Sequence, residues 1–153
     1  MEVANKIFIN RKFNCSSTEL FDWLVRPELI AKWSGPKHLS VGMVESDLRI
    51  GGKYSIELIK SDDQNFFIEG KYIELKEPTK LVFSFRYRGL PSQPPDSIVK
   101  ITIKSTSDSE AHLFLVQDFV TVPADMENRT KSWEYMFGVL EEEIPFPPSR
   151  NGA

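Results

Sequence analysis

Residues 126–144, MENRTKSWEYMFGVLEEEI, decide how the rest of the chain must be arranged. Met126, Thr130, Trp133, Phe137, Leu140 and Ile144 recur at alternating spacings of four and three, which puts them on one face of a helix. Glu134, Glu141 and Glu142 fall on other faces. Pro145 opens the run PFPP, which cannot continue the helix, and residues 145–153 are expected to form a loose tail. A long helix with one apolar stripe needs an apolar surface to lie on.

The stretch between Leu39 and Val122 offers that surface, because its periodicity is two. Strands are expected at 41–48, 53–60, 66–75, 80–88, 98–105 and 111–120. Short connectors rich in Gly, Pro, Asp, Asn and Ser pair them antiparallel. Leu81, Phe83, Phe85 and Tyr87 share one strand face, while Ser84, Arg86 and Arg88 share the other. One side of the sheet is therefore covered and the other wetter. Within VESDLRIGGKYSIEL (44–58), the pair Gly51 and Gly52 interrupts two strands. Glycines weaken a strand, so the chain must turn tightly there or another backbone must come close. They are also one source of the kinks that a curved sheet needs.

Upstream, Ile7, Phe8 and Ile9 with Lys12 and Phe13 read as a first strand. Ser16 followed by Glu19 fits a capping box that opens a helix carrying Leu20, Phe21 and Leu24. Pro27 interrupts it and starts a second short helix with Leu29, Ile30 and Trp33, stopped by Gly35 and Pro36. The whole is an α+β fold. A curved antiparallel sheet of about seven strands wraps a long C-terminal helix, with two short helices after strand one, in a single domain over 1–144.

The totals remove several function classes. A chain of 153 residues is one domain's worth. A net charge of −3 with scattered Lys and Arg speaks against a nucleic-acid partner. Cys15 is the single cysteine, which rules out an internal disulfide and a metal site of several thiolates. His38 and His112 have no neighbours at ligand spacing, so neither a metal nor a cofactor is expected. The start alternates where a signal peptide would be continuously apolar, and no window is apolar enough to span a bilayer; a cytoplasmic protein is the expectation.

Three stretches, SDLRIGGKYSIE, EGKYIELKEPTKLVFSF and NRTKSWEYMFGVLEEEI, resemble the SRPBCC (START-like, helix-grip) superfamily. Within it, the resemblance is to proteins similar to the C-terminal domain of the activator of heat-shock protein 90 ATPase (AHSA-like), over about residues 13–140. It implies a deep pocket between sheet and last helix but not one activity, since the superfamily includes lipid and hormone binders, cyclases and co-chaperone domains. Two departures are visible. Ser132 stands where many relatives have Gly before the helix Trp, and Gln117 lies near where many carry a titratable residue.

Candidate ligand-binding residues are Trp33, Tyr54, Phe83, Phe85, Tyr87, Gln117, Trp133 and Phe137. Large rings between a curved sheet and a helix leave cavities when they do not interlock, and simply fill a core when they do. Tyr87 or Gln117 would orient a ligand. Glu57, Glu69, Glu74 and Asp118 would matter as acids or bases only if buried, and read as solvated strand residues; Arg86 and Arg88 read as outer-face charges. Cys15 precedes a helix N-terminus, which can lower a thiol's pKa, but no resolving Cys or His accompanies it.

The function expected is non-catalytic binding of a small apolar or amphipathic molecule. The alternatives are a co-chaperone-like module that stimulates a heat-shock protein 90 chaperone, and a cyclase- or hydrolase-type enzyme. Phe114 and Val116 lie on the strand parity opposite Leu113 and Leu115, so the outer face could pair two copies into a homodimer.

Overall fold

The computed structural model describes residues 5–60 and 64–145; the expected loose tail lies outside them from residue 146 on. In chain order the elements are β1 (Lys6–Phe13), α1 (Ser17–Val25), α2 (Pro27–Ile30), β2 (Ser40–Ser46), β3 (Lys53–Ile59), β4 (Asn65–Lys76), β5 (Lys80–Arg88), β6 (Ser97–Ser107), β7 (Glu110–Phe119) and α3 (Met126–Glu143). The strands form one antiparallel sheet in the order β1-β7-β6-β5-β4-β3-β2. It curves around α3, with α1 and α2 inserted after β1. No helix among the described residues is long and apolar enough to cross a membrane.

Local chemistry sets the helix ends. Ser16 Oγ accepts the Glu19 N–H at 3.1 Å, which is half of the expected capping box; the Glu19 carboxylate makes no return bond among the described residues. Arg26 is extended ahead of Pro27, as the proline ring requires, and α2 begins on Pro27 itself. α2 ends at Ile30, so Trp33 sits in the turn beyond it. Its indole N–H donates to the Trp23 carbonyl at 2.9 Å, tying that turn to α1.

Strand parity places the core. Ile9, Leu115, Ile101 and Leu81 face one another across β1, β7, β6 and β5, and all four are buried on the side facing the helices. On the outward side Phe8 lies opposite Val116, one row from Phe114, so the strip read from strand parity is present there; Phe8 is 69% exposed.

Irregularities in register interrupt the ladders at three places, the kind of feature that bends a sheet. Shifts occur between Val41 and Val44, between Tyr72 and Glu74, and between Ser105 and Ser107. In the first, Gly42 and Met43 bulge opposite Glu57, whose carboxylate accepts the Met43 N–H at 3.0 Å and the Asn65 amide at 2.6 Å.

The glycine pair serves the turn between β2 and β3. Gly51 has φ +84°, and its N–H donates to the Tyr72 carbonyl at 2.7 Å. The Tyr72 N–H returns to the Gly52 carbonyl at 2.9 Å, so the turn extends the sheet onto β4. A Cβ on Gly52 would run into the backbone oxygen of Asp47. Gly52→Ala is therefore expected to lower stability by more than about 1 kcal/mol. The readout is a lower urea midpoint at unchanged slope; an unchanged midpoint would show that the turn can relax around a methyl group.

Candidate ligand-binding cavity

Between the concave face of the sheet, the exit of α2 and α3 lies a chamber of about 60 Å³. Leu24, Ile30, Trp33 and Ser34 close it from the α1 and α2 side. β3 contributes Tyr54 and Ile56, β4 contributes Ile68 and Tyr72, and β5 contributes Leu81, Phe83 and Phe85. Trp133 and Met136 form the wall from α3.

The chamber is much smaller than the deep pocket that the resemblance implies, and smaller than ligand pockets of about 300–1,000 Å³. Ring packing is the reason. Phe137 is fully buried, with its ring centroid 6.0 Å from that of Phe13, 5.7 Å from Trp33 and 5.4 Å from Trp133. It occupies the deep end of the space under α3 and does not line the chamber.

Two further spaces continue the chamber outward. A neck of about 40 Å³ shares Ile68, Phe85, Trp133 and Met136 with it, and adds Tyr87, Gln117, Arg129 and Ser132. An outer hollow of about 350 Å³ shares Pro36, Tyr87, Arg129 and Ser132 with the neck and opens beside Leu90 and Pro91.

The neck carries the polar side chains. The Trp133 indole N–H donates to Gln117 Oε1 at 2.8 Å, and Gln117 Nε2 donates to Ser97 Oγ at 2.8 Å. Gln117 is 2% exposed and its amide is engaged at both ends, so it braces the wall. Arg129 donates from Nε to Asp125 Oδ1 at 2.9 Å, and its guanidinium lies 5.4 Å from the Tyr87 ring centre. Burial raises the Tyr87 phenol above its ordinary pKa, against the opposing pull of Arg129. In the chamber, burial likewise raises Tyr54 and Tyr72, so both phenols stay protonated and uncharged.

Of the residues singled out from the sequence, Trp33, Tyr54, Phe83, Phe85 and Trp133 meet at the chamber, Tyr87 and Gln117 at the neck, and Phe137 beneath. The four carboxylates are elsewhere. Glu57 holds the β2 bulge, Glu69 pairs with Arg88 at 2.6 Å, Glu74 with Lys80 at 3.0 Å and Asp118 with Lys6 at 3.9 Å. Arg88 also lies over the Phe67 ring at 4.1 Å, and with Arg86 it borders an outer-face cleft of mixed charge. Burial, and then the Glu19 carboxylate, push the Cys15 thiol up to about 12, the reverse of an activated cysteine. Among the described residues, no three His, Cys, Asp or Glu side chains gather at metal distance.

Among the wall residues that sequence reasoning did not place at the site are Ile56, Ile68, Tyr72, Met136 and Ser34. Ile56 has the parity of Tyr54, Ile68 is its cross-strand partner, and Met136 is three residues from Trp133, so these three wall positions were within reach of periodicity. Nothing local marks Ser34.

The same architecture recurs in solved structures. A protein from Chromobacterium violaceum superposes with TM-score 0.82 at 24% identity, covering 92% of this chain and 98% of its own. One from Nitrosomonas europaea gives 0.76 at 19% identity, covering 93% and 95%. An AHSA1 protein from Silicibacter pomeroyi gives 0.74 at 19% identity, covering 90% and 96%. At these identities the likeness concerns the fold. No curated protein matches the chain. The sequence family described as Activator of Hsp90 ATPase homolog 1-like protein matches residues 14–144, and with that span the chain belongs to this family.

Proposed function

We propose that the protein binds a small apolar or amphipathic molecule in the chamber between the curved sheet and α3, without chemistry of its own. The observation that carries this reading is the wall. Apart from Ser34 it is built from aliphatic and aromatic side chains, with no carboxylate, imidazole or amine among them. Affinity would come from apolar burial, at about 25 cal/mol per Å². A chamber of about 60 Å³ must widen to accept a ligand. Met136 stands in the wall shared with the neck, and an unbranched thioether changes rotamer more readily than a ring. Its displacement joins the two spaces toward the outer hollow.

Native mass spectrometry, with displacement of a fluorescent fatty acid, is expected to show one small molecule per chain. Phe85→Ala and Trp133→Ala should each change affinity by about tenfold, since each removes a ring from the wall. Variants that fold and bind as the parent does would sink the assignment.

A second reading is supported by the family's description, which concerns activation of the Hsp90 ATPase. Under it the chain docks on that chaperone and speeds its ATP turnover. An ATPase assay with the two purified proteins decides it, and an unchanged rate removes it.

A further inference from the structure

We infer that the chamber recognises an uncharged ligand through one hydroxyl or carbonyl group, held by the Ser34 side chain. This rests on the chamber being the binding site. Five wall residues carry a polar side-chain atom: Trp33, Ser34, Tyr54, Tyr72 and Trp133. Four of these already have a hydrogen-bond partner inside the protein. Trp33 donates to the Trp23 carbonyl at 2.9 Å and Trp133 to Gln117 at 2.8 Å. The Tyr54 hydroxyl donates to the Ser84 carbonyl at 2.7 Å, and the Tyr72 hydroxyl shares a 2.6 Å bond with Ser46 Oγ.

Ser34 is different. It is 4% exposed, and its Oγ has no hydrogen-bond partner among the described residues. Buried hydroxyls without partners are rare because each forfeits the water it left. A hydroxyl offers one donor and accepts through its lone pairs, so it suits a ligand carbonyl, alcohol or phenol equally well. It does not suit an ionised group. The chamber wall holds no cation to balance a carboxylate and no anion to balance an amine, and an unpaired charge would remain in water. The aromatic wall of Trp33, Phe85 and Trp133 favours a ring or hydrocarbon body behind that single polar atom.

Phenol and toluene test this, since they differ by a hydroxyl for a methyl at nearly equal volume. Both would be titrated by NMR into the parent protein and into Ser34→Ala, with thermal unfolding followed to establish that each is folded. Phenol is expected to bind the parent about tenfold more tightly than toluene, after correcting for their partition between water and hydrocarbon. In Ser34→Ala that preference should vanish while toluene affinity stays the same. Equal corrected affinities in the parent, or a phenol preference that survives in Ser34→Ala, would overturn the role of Ser34 and leave the chamber standing. Failure of both compounds to perturb the chamber side chains would overturn the chamber itself. Should Ser34→Ala prove unstable, Ser34→Cys supplies the same test with a much weaker donor.

Discussion

Phe137→Ala is expected to cost about 3–5 kcal/mol of stability, the range for a phenyl ring removed from a close-packed core. Phe137 is fully buried and is the ring on which Phe13, Trp33 and Trp133 converge. The substitution removes the ring's own burial and also unseats the two indoles that separate core from chamber. For a chain of this length, a loss of that size lowers Tm by roughly 10 °C. Urea unfolding followed by tryptophan fluorescence measures it. A loss below about 1 kcal/mol would mean that the neighbouring rings collapse into the gap, and that the core under α3 is softer than the ring geometry indicates.

Gln117→Leu is expected to cost about 2–4 kcal/mol, through a different mechanism. The buried amide accepts from the Trp133 indole and donates to Ser97, so a leucine of similar volume leaves the indole N–H without its acceptor and Ser97 Oγ without the bond it accepts. Removing the donor as well should restore part of the loss: Gln117→Leu combined with Trp133→Phe is expected to be more stable than the sum of the single changes. Strict additivity in that cycle would show that water enters the neck and replaces the amide.

The sequence revealed the architecture because faces are encoded by period. The alternation at Leu81, Phe83, Phe85 and Tyr87, and the helical stripe through Trp133, Phe137 and Leu140, determine which side chains point inward whatever the neighbouring elements do. Period says nothing about volume. Trp133 and Phe137 occupy the same stripe, yet one bounds the chamber and the other fills the core. The difference comes from where the α2 exit sets Trp33, a tertiary fact. Ser34 was hidden for the same reason, because its isolation is created by side chains of β3 to β5 brought across from distant sequence. The glycine pair could be read as a turn, but its bonding to Tyr72 depends on β4 lying alongside. The bulge opposite Glu57 had no local signature beyond Gly42.

That bulge bears on whether the edge of the sheet can accept a further strand. β2 is the outermost strand on its side of the sheet, where a second chain could add by backbone pairing. The Met43 amide is turned from the rim into the grasp of Glu57, so an incoming strand meets a broken ladder. The Met43 N–H, and then Asn65, hold the Glu57 carboxyl below the usual carboxylate range. The guard is therefore complete above the unfolded-state pKa of about 4.3 and lapses as pH falls through the lower folded value. Strand addition at this rim is therefore expected in acid and not at neutral pH, which thioflavin fluorescence compared at about pH 3 and about pH 7 measures; equal signals at both would show that Glu57 does not guard the edge.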